Sequence, residues 1–186
     1  MTYRLNDSEQ QRLISSAVTE RCSDLFVLNE NIITFQNRNL KELIGVTGSF
    51  LENYLYISLQ ESGAFDDIRM SAVIDFADEK YKHPVLCEID CLVLKDNRLL
   101  FVSCKSTKAD SAALNEVYVH NKRFGNVLSA AVLCGFEEFE RRYPSIYAKA
   151  EELGIYIADR SCFENDRIAA VFESIFDGTY RYDPLT

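Results

Sequence analysis

No apolar run in the 186 residues approaches the ~18 residues of a membrane span, and the N-terminus lacks the basic-then-apolar pattern of a signal peptide. These absences point to a soluble, cytoplasmic chain. Metal-binding cysteine patterns are missing as well. The six cysteines form no Cys-x-x-Cys pair, and the two histidines, His83 and His120, are isolated, which argues against a zinc site. Cys87 and Cys91, on one strand, stand ~13 Å apart at ~3.3 Å per residue, too far to bond each other. Reduced, structural thiols in a cytosolic protein are expected. Positive charge is scarce: 20 Lys+Arg against 29 Asp+Glu leave a net charge of −9. That excludes a protein that coats nucleic acid through a broad basic surface, but it permits a local basic groove. Repeats, low-complexity tracts and linkers are also absent. What remains is ordinary globular composition, 47% hydrophobic and 26% charged, at a length that suits one domain.

Periodicity and punctuation predict an element order. A helix capped by Asn6 or Asp7 runs to about Glu20, and Ile32 to Phe35 is a strand. A helical turn covers Asn39 to Leu43. After Gly45 and Gly48 a helix spans Ser49 to about Glu61, where Ser49 and Glu52 fit a capping box. Ile68–Phe76, Val85–Leu94 and Arg98–Ser103 are strands, the last two joined at Asp96-Asn97. Then follow a helix at Ser111–Phe124, a strand at Val127–Leu133, and helices at Phe136–Arg142 and Ser145–Leu153 flanking Pro144. A strand at Ile155–Ala158 and a helix at Phe163–Phe176 complete the order. It implies a three-layer α/β domain with a mixed sheet.

The stretch richest in chemistry is Glu88-Ile89-Asp90, twelve residues, then Ser103-Cys104-Lys105. With Asp96-Asn97 as a two-residue loop, Asp90 faces Ser103 and Glu88 faces Lys105. Period-two alternation then puts these four on one face and Cys87, Ile89, Cys91, Val93, Leu100, Val102 and Cys104 on the other. Taken alone, this fits a cross-strand Glu88–Lys105 salt bridge as well as a site. Glu52 shifts the balance, because on a helical wheel it lies among Leu55, Tyr56 and Leu59. A carboxylate there is costly unless a cation compensates it, although a capping role also fits.

Gly48-Ser49-Phe50-Leu51-Glu52, then Glu88-Ile89-Asp90 and Ser103-Cys104-Lys105, resemble the PD-(D/E)xK nuclease superfamily. More narrowly they resemble the nuclease domain of CRISPR-associated CARF nucleases, which cyclic oligoadenylate activates. Tyr118 to Gly125 and Ala148 to Ile155 also look similar, so the likeness spans about Phe35 to Phe176. It implies a restriction-endonuclease-like domain over residues 35–186 after an N-terminal helical extension over 1–34. It further implies a metal-dependent endonuclease of antiviral defence, cutting DNA, RNA or both. Glu52 and Asp90 would be ligands of Mg²⁺ or Mn²⁺, with the Cys104 carbonyl as a further ligand. Lys105 would be the catalytic lysine, with Glu88 and Ser103 in support.

Two departures stand out. Ser103 replaces the family's Glu, a weaker ligand for a hard cation, so a catalytically degenerate fold acting as a nucleic-acid-binding or assembly module is the alternative. Only ~35–45 residues precede the recognisable part, too few for a CARF-type sensor. The chain is then either a nuclease-only protein or one domain of a longer one. The likeness also implies a homodimer.

Lys105, Lys108, Lys122 and Arg123 are candidate phosphate contacts. No Arg-x4–6-His motif supports a HEPN-type ribonuclease, no Gly-x-x-x-x-Gly-Lys loop supports nucleotide hydrolysis, and no nucleophile elbow supports a serine hydrolase.

Overall fold

The computed structural model describes residues 2–4, 26–29, 32–35, 49–75, 86–105, 109–135, 137–163 and 167–180. The helix expected from Asn6 or Asp7 to Glu20 and the turn at Asn39–Leu43 lie outside these residues, as do Cys22, His83, Lys108 and the Ser49 side chain. Near the N-terminus, β1 (Thr2–Arg4), β2 (Phe26–Asn29) and β3 (Ile32–Phe35) make a small antiparallel sheet of order β1-β3-β2. Of its strands, only β3 was expected.

The main sheet has five strands in the order β4-β5-β6-β7-β8: β4 (Asp67–Asp75), β5 (Leu86–Lys95), β6 (Arg98–Lys105), β7 (Ala130–Gly135) and β8 (Ile155–Ala158). β4, β5 and β6 run antiparallel, while β6, β7 and β8 run parallel. The β5–β6 turn is the expected two-residue one. Asp96 and Asn97 have φ of 50° and 60°, the left-handed pair that such a hairpin requires.

Helices cover both faces. One layer holds α1 (Ser49–Ser62) and α6 (Ile168–Phe176). It packs Leu51, Leu55, Leu59 and Phe172 on Cys91, Val93, Val102 and Val132. The other holds α2 (Ser111–Phe124) and α4 (Pro144–Leu153). It packs Leu114, Val117 and Ala150 on Phe101, Leu133 and Ile157. The short α3 (Phe139–Arg142) and α5 (Arg160–Phe163) fill corners. This is the three-layer α/β architecture with a mixed central sheet that the element order implies.

Local chemistry sets the boundaries. The Asp110 carboxylate accepts from the N–H groups of Ala112 and Ala113, both at 3.0 Å, and so starts α2 where expected. Gly154, with φ of 65°, ends α4 in the left-handed conformation. β7 starts three residues later than expected. Asn126 Oδ1 accepts the Leu128 N–H at 2.7 Å, forming a turn that leaves Val127 99% exposed. The helix expected from Phe163 starts at Ile168 as α6, Phe163 instead ends α5, and residues 164–166 lie outside those described.

Candidate active site

The feature that builds the site is a reversal of side-chain facing in β4 and β5. In a regular strand, residues two apart share a face. Here Cys91 and Val93 pack in the α1 layer, while Ile89 and Cys87 pack in the α2 layer. In β4, Ile68 belongs to the first layer and Ala72 and Ile74 to the second. Both strands therefore turn over between Met70↔Cys91 and Ala72↔Ile89, where the register passes over Ser71 and Asp90. Ser71 has φ of 45°, an uncommon conformation for a residue with a Cβ. This corrects the facing expected from the sequence. Cys87 and Ile89 do not continue the face of Cys91 and Val93, and Glu88, set between them, turns toward the layer of α1.

The β5–β6 ladder also changes at this point. Its regular pairs end at Cys91↔Val102. The Asp90 side chain then takes over from backbone pairing: its Oδ2 accepts the Cys104 N–H at 2.7 Å and the Ser103 hydroxyl at 3.3 Å. Lys105 Nζ stands 3.7 Å from the same oxygen. The expected facing of Glu88 and Lys105 is replaced, since among the described residues the ion pair of Lys105 is with Asp90. With both side chains about 30% exposed, that pair contributes little to stability. Its consequence is to place an ammonium beside a carboxylate whose position a backbone donor fixes.

Glu52 joins them from the first turn of α1. Leu51, Leu55 and Leu59 are fully buried, and this anchors the helix on the sheet with Glu52 half-buried at the edge of the apolar stripe. Burial raises the pKa of its carboxyl above the usual range. The negative charges of Asp90 and Glu88 raise it further, and Lys105 opposes them. Glu52, Glu88, Asp90 and Lys105 are thus within electrostatic reach of one another, with Ser103 and Cys104 bonded to Asp90. The Cys104 thiol itself lies in the core, hydrogen-bonded to Cys134, so only its backbone serves the site.

The donor set suits a hard cation in part. Two crowded carboxylates from different elements would be relieved by a divalent ion, and Asp90 Oδ1 takes no protein donor among the described residues. Among those residues, however, no three His, Cys, Asp or Glu side chains are gathered as ligands of one ion. Ser103, 5% exposed, contributes a hydroxyl that donates to Asp90.

The other candidates fall elsewhere. Lys122 stacks over Tyr118 and Arg123 over Phe124, at 5.4 and 5.7 Å, on α2 in the opposite layer. The five described cysteines are free thiols; Cys91, Cys104, Cys134 and Cys162 are buried as expected. Cys87 is the exception, half-exposed and 2.9 Å from His120, a pairing that spacing in the chain did not signal. Ser71 was missed as well, because nothing in its sequence neighbourhood marks a reversal.

No protein-family model matches this sequence, and no curated protein matches it. Solved structures do. Protein VC1899 from Vibrio cholerae superposes with a TM-score of 0.70 at 16% identity, over 96% of this chain and 47% of that one. Can2 from Sulfobacillus thermosulfidooxidans, in complex with cyclic tetra-adenylate, superposes at 0.55 with 15% identity, over 90% of this chain and 46% of that one. The small subunit of a heterodimeric restriction endonuclease superposes at 0.38 with 13% identity, over 73% of each chain. The chain thus spans just under half the length of the first two. Among the described residues, no helix is long and apolar enough to cross a membrane. The chain shares with VC1899 and Can2 an α/β fold, here a five-stranded mixed sheet between two helical layers.

Proposed function

We propose that this chain is a cytoplasmic, metal-dependent endonuclease domain of the PD-(D/E)xK type, hydrolysing phosphodiester bonds of DNA, RNA or both in CRISPR-type antiviral defence. The observation that carries this reading is the convergence of Glu52, Asp90 and Lys105, from a helix and two strands, where the β5–β6 ladder ends. Fold likeness to Can2, solved with cyclic tetra-adenylate, supports the CRISPR setting.

Glu52 and Asp90 would hold Mg²⁺ or Mn²⁺, with Glu88 adding negative charge and the Cys104 carbonyl as a further ligand. Such an ion, when bound, neutralises charge on a scissile phosphate and acidifies a water. Asp90 is kept in one orientation by the Cys104 N–H and the Ser103 hydroxyl. Lys105 donates to a phosphate oxygen or orients the attacking water from its place beside Asp90. The chain would act as a homodimer, with a CARF-type sensor supplied by a further domain or a partner.

Cleavage of supercoiled plasmid and of single-stranded RNA and DNA with Mg²⁺ or Mn²⁺ tests the proposal. Wild type should cut at least one of these, and Asp90→Ala and Lys105→Ala should not; equal activity in all three overturns it. Ser103 favours a second reading, a degenerate nuclease fold that binds without cutting. It predicts wild type inert with every substrate and gain of cleavage in Ser103→Glu.

A further inference from the structure

A second constellation lies on the other side of β5. Cys87 Sγ is 2.9 Å from His120 Nε2, although the two are 33 residues apart. Both line a half-open cavity of ≈ 290 Å³ between the start of β5 and α2, together with Glu116 and Arg123. Glu116 lies one helical turn before His120, on the same face of α2. Its charge acts on the Cys87 sulfur, raising the thiol pKa beyond what burial does, while Arg123 opposes that shift. Glu116 has no ion-pair partner among the described residues. The pair is also a poor candidate for thiol catalysis. A nucleophilic cysteine needs a lowered pKa, and burial moves this one upward.

We infer that Cys87 and His120 form a binding site for a borderline-soft divalent transition ion such as Zn²⁺, with Glu116 as the third ligand and an open position for water. The chemistry differs from that of the Glu52–Asp90 site. Thiolate and imidazole select zinc-like ions, whereas Mg²⁺ takes oxygen ligands. Tetrahedral bonds of ~2.3 Å to sulfur and ~2.05 Å to nitrogen hold the two ligand atoms ~3.5 Å apart. The pair must therefore open by about half an ångström as the ion replaces the thiol proton, a shift within side-chain rocking. Among the described residues no third ligand is already gathered there. Glu116, on the exposed side of α2, closes the set by rotation. Occupancy would staple the strand that carries Asp90 to α2, three residues from that carboxylate.

Cobalt titration of the chelator-stripped chain, followed by absorption, tests this. One Co²⁺ per chain should bind with a sulfur-to-cobalt charge-transfer band that Zn²⁺ removes and excess Mg²⁺ does not. Cys87→Ser should abolish the band. His120→Gln and Glu116→Gln should each weaken binding by about tenfold or more, and Asp90→Asn should leave it unchanged. Zn²⁺ should raise the melting temperature of wild type more than that of His120→Gln, which guards against a misfolded serine variant. Absence of the band in folded wild type, its survival in Cys87→Ser, or its loss in Asp90→Asn overturns the inference. None of these outcomes depends on whether the chain cleaves nucleic acid.

Discussion

The β5–β6 hairpin has two halves that do different work. From the Asp96-Asn97 turn to Cys91↔Val102 the ladder is regular. Leu99 and Phe101 feed the α2 layer, and Val93, Leu100 and Val102 the α1 layer. Beyond that pair the backbone ladder stops, and a carboxylate accepts the N–H of Cys104 instead. The exchange keeps a buried donor satisfied and immobilises Asp90 by a charge-assisted bond rather than by packing. Stability therefore belongs to the half near the turn, and the candidate site groups belong to the open half.

The largest expected effects test that division of labour directly. Asp90→Asn keeps an oxygen for the Cys104 N–H but removes the negative charge. It should lower the cleavage rate by about 10³-fold while leaving the urea midpoint nearly unchanged. Asp90→Ala should lose activity equally and also lose stability, by about 1–3 kcal/mol, because the Cys104 N–H is orphaned. Phe101→Ala, in the regular half, should behave the opposite way. The ring is 1% exposed, so its loss should cost about 3 kcal/mol in urea unfolding with the remaining folded fraction still active. A Phe101→Ala protein that is stable but inert would erase the distinction.

Much of this hairpin was legible in the sequence. Asp-Asn between two alternating apolar runs specifies the turn and the pairing of the near half. Glu52 was legible as a carboxylate out of place on an apolar helix face. The facing of the open half was not. Period-two arithmetic assumes a continuous pleat, and Ser71 breaks it without glycine or proline to announce the break. Had the pleat continued, Glu88 would face the α2 layer, away from Glu52. The pairing of Cys87 with His120 was out of reach for a related reason, since it depends on how α2 lies across the reversed end of β5.

Ser71 itself offers a smaller test of the same boundary. A left-handed conformation costs a residue with a Cβ ~1–2 kcal/mol, and glycine recovers part of that while adding entropy to the unfolded chain. Ser71→Gly should therefore stabilise the fold by about 0.5–1 kcal/mol. Ser71→Val, with a branched side chain that resists positive φ, should destabilise it and lower cleavage by displacing Asp90. Calorimetric melting of the pair reads the sign. A Ser71→Val protein as stable and active as wild type would show that the reversal does not depend on this residue.

The smallest expected effect concerns Glu52, and its sign follows from the direction of its pKa shift. Burial first, then Asp90 and Glu88, hold the carboxyl above its ordinary value. The folded state therefore binds this proton more tightly than the unfolded chain does. Whatever stability that proton confers is fully present below the ordinary carboxylate range and is lost as pH rises through the raised folded value. Glu52→Gln fixes the uncharged form. It should melt slightly above wild type at neutral pH, and the difference should shrink to nothing as pH falls below the ordinary range. Divalent ions should reverse the neutral-pH order: Mn²⁺ should raise the melting temperature of wild type by relieving the Glu52–Asp90 repulsion, and should leave Glu52→Gln nearly where it was. If Glu52→Gln melts below wild type at neutral pH without metal, the carboxylate is favourably capped rather than crowded, and the open half of the hairpin is not the strained partner in this comparison.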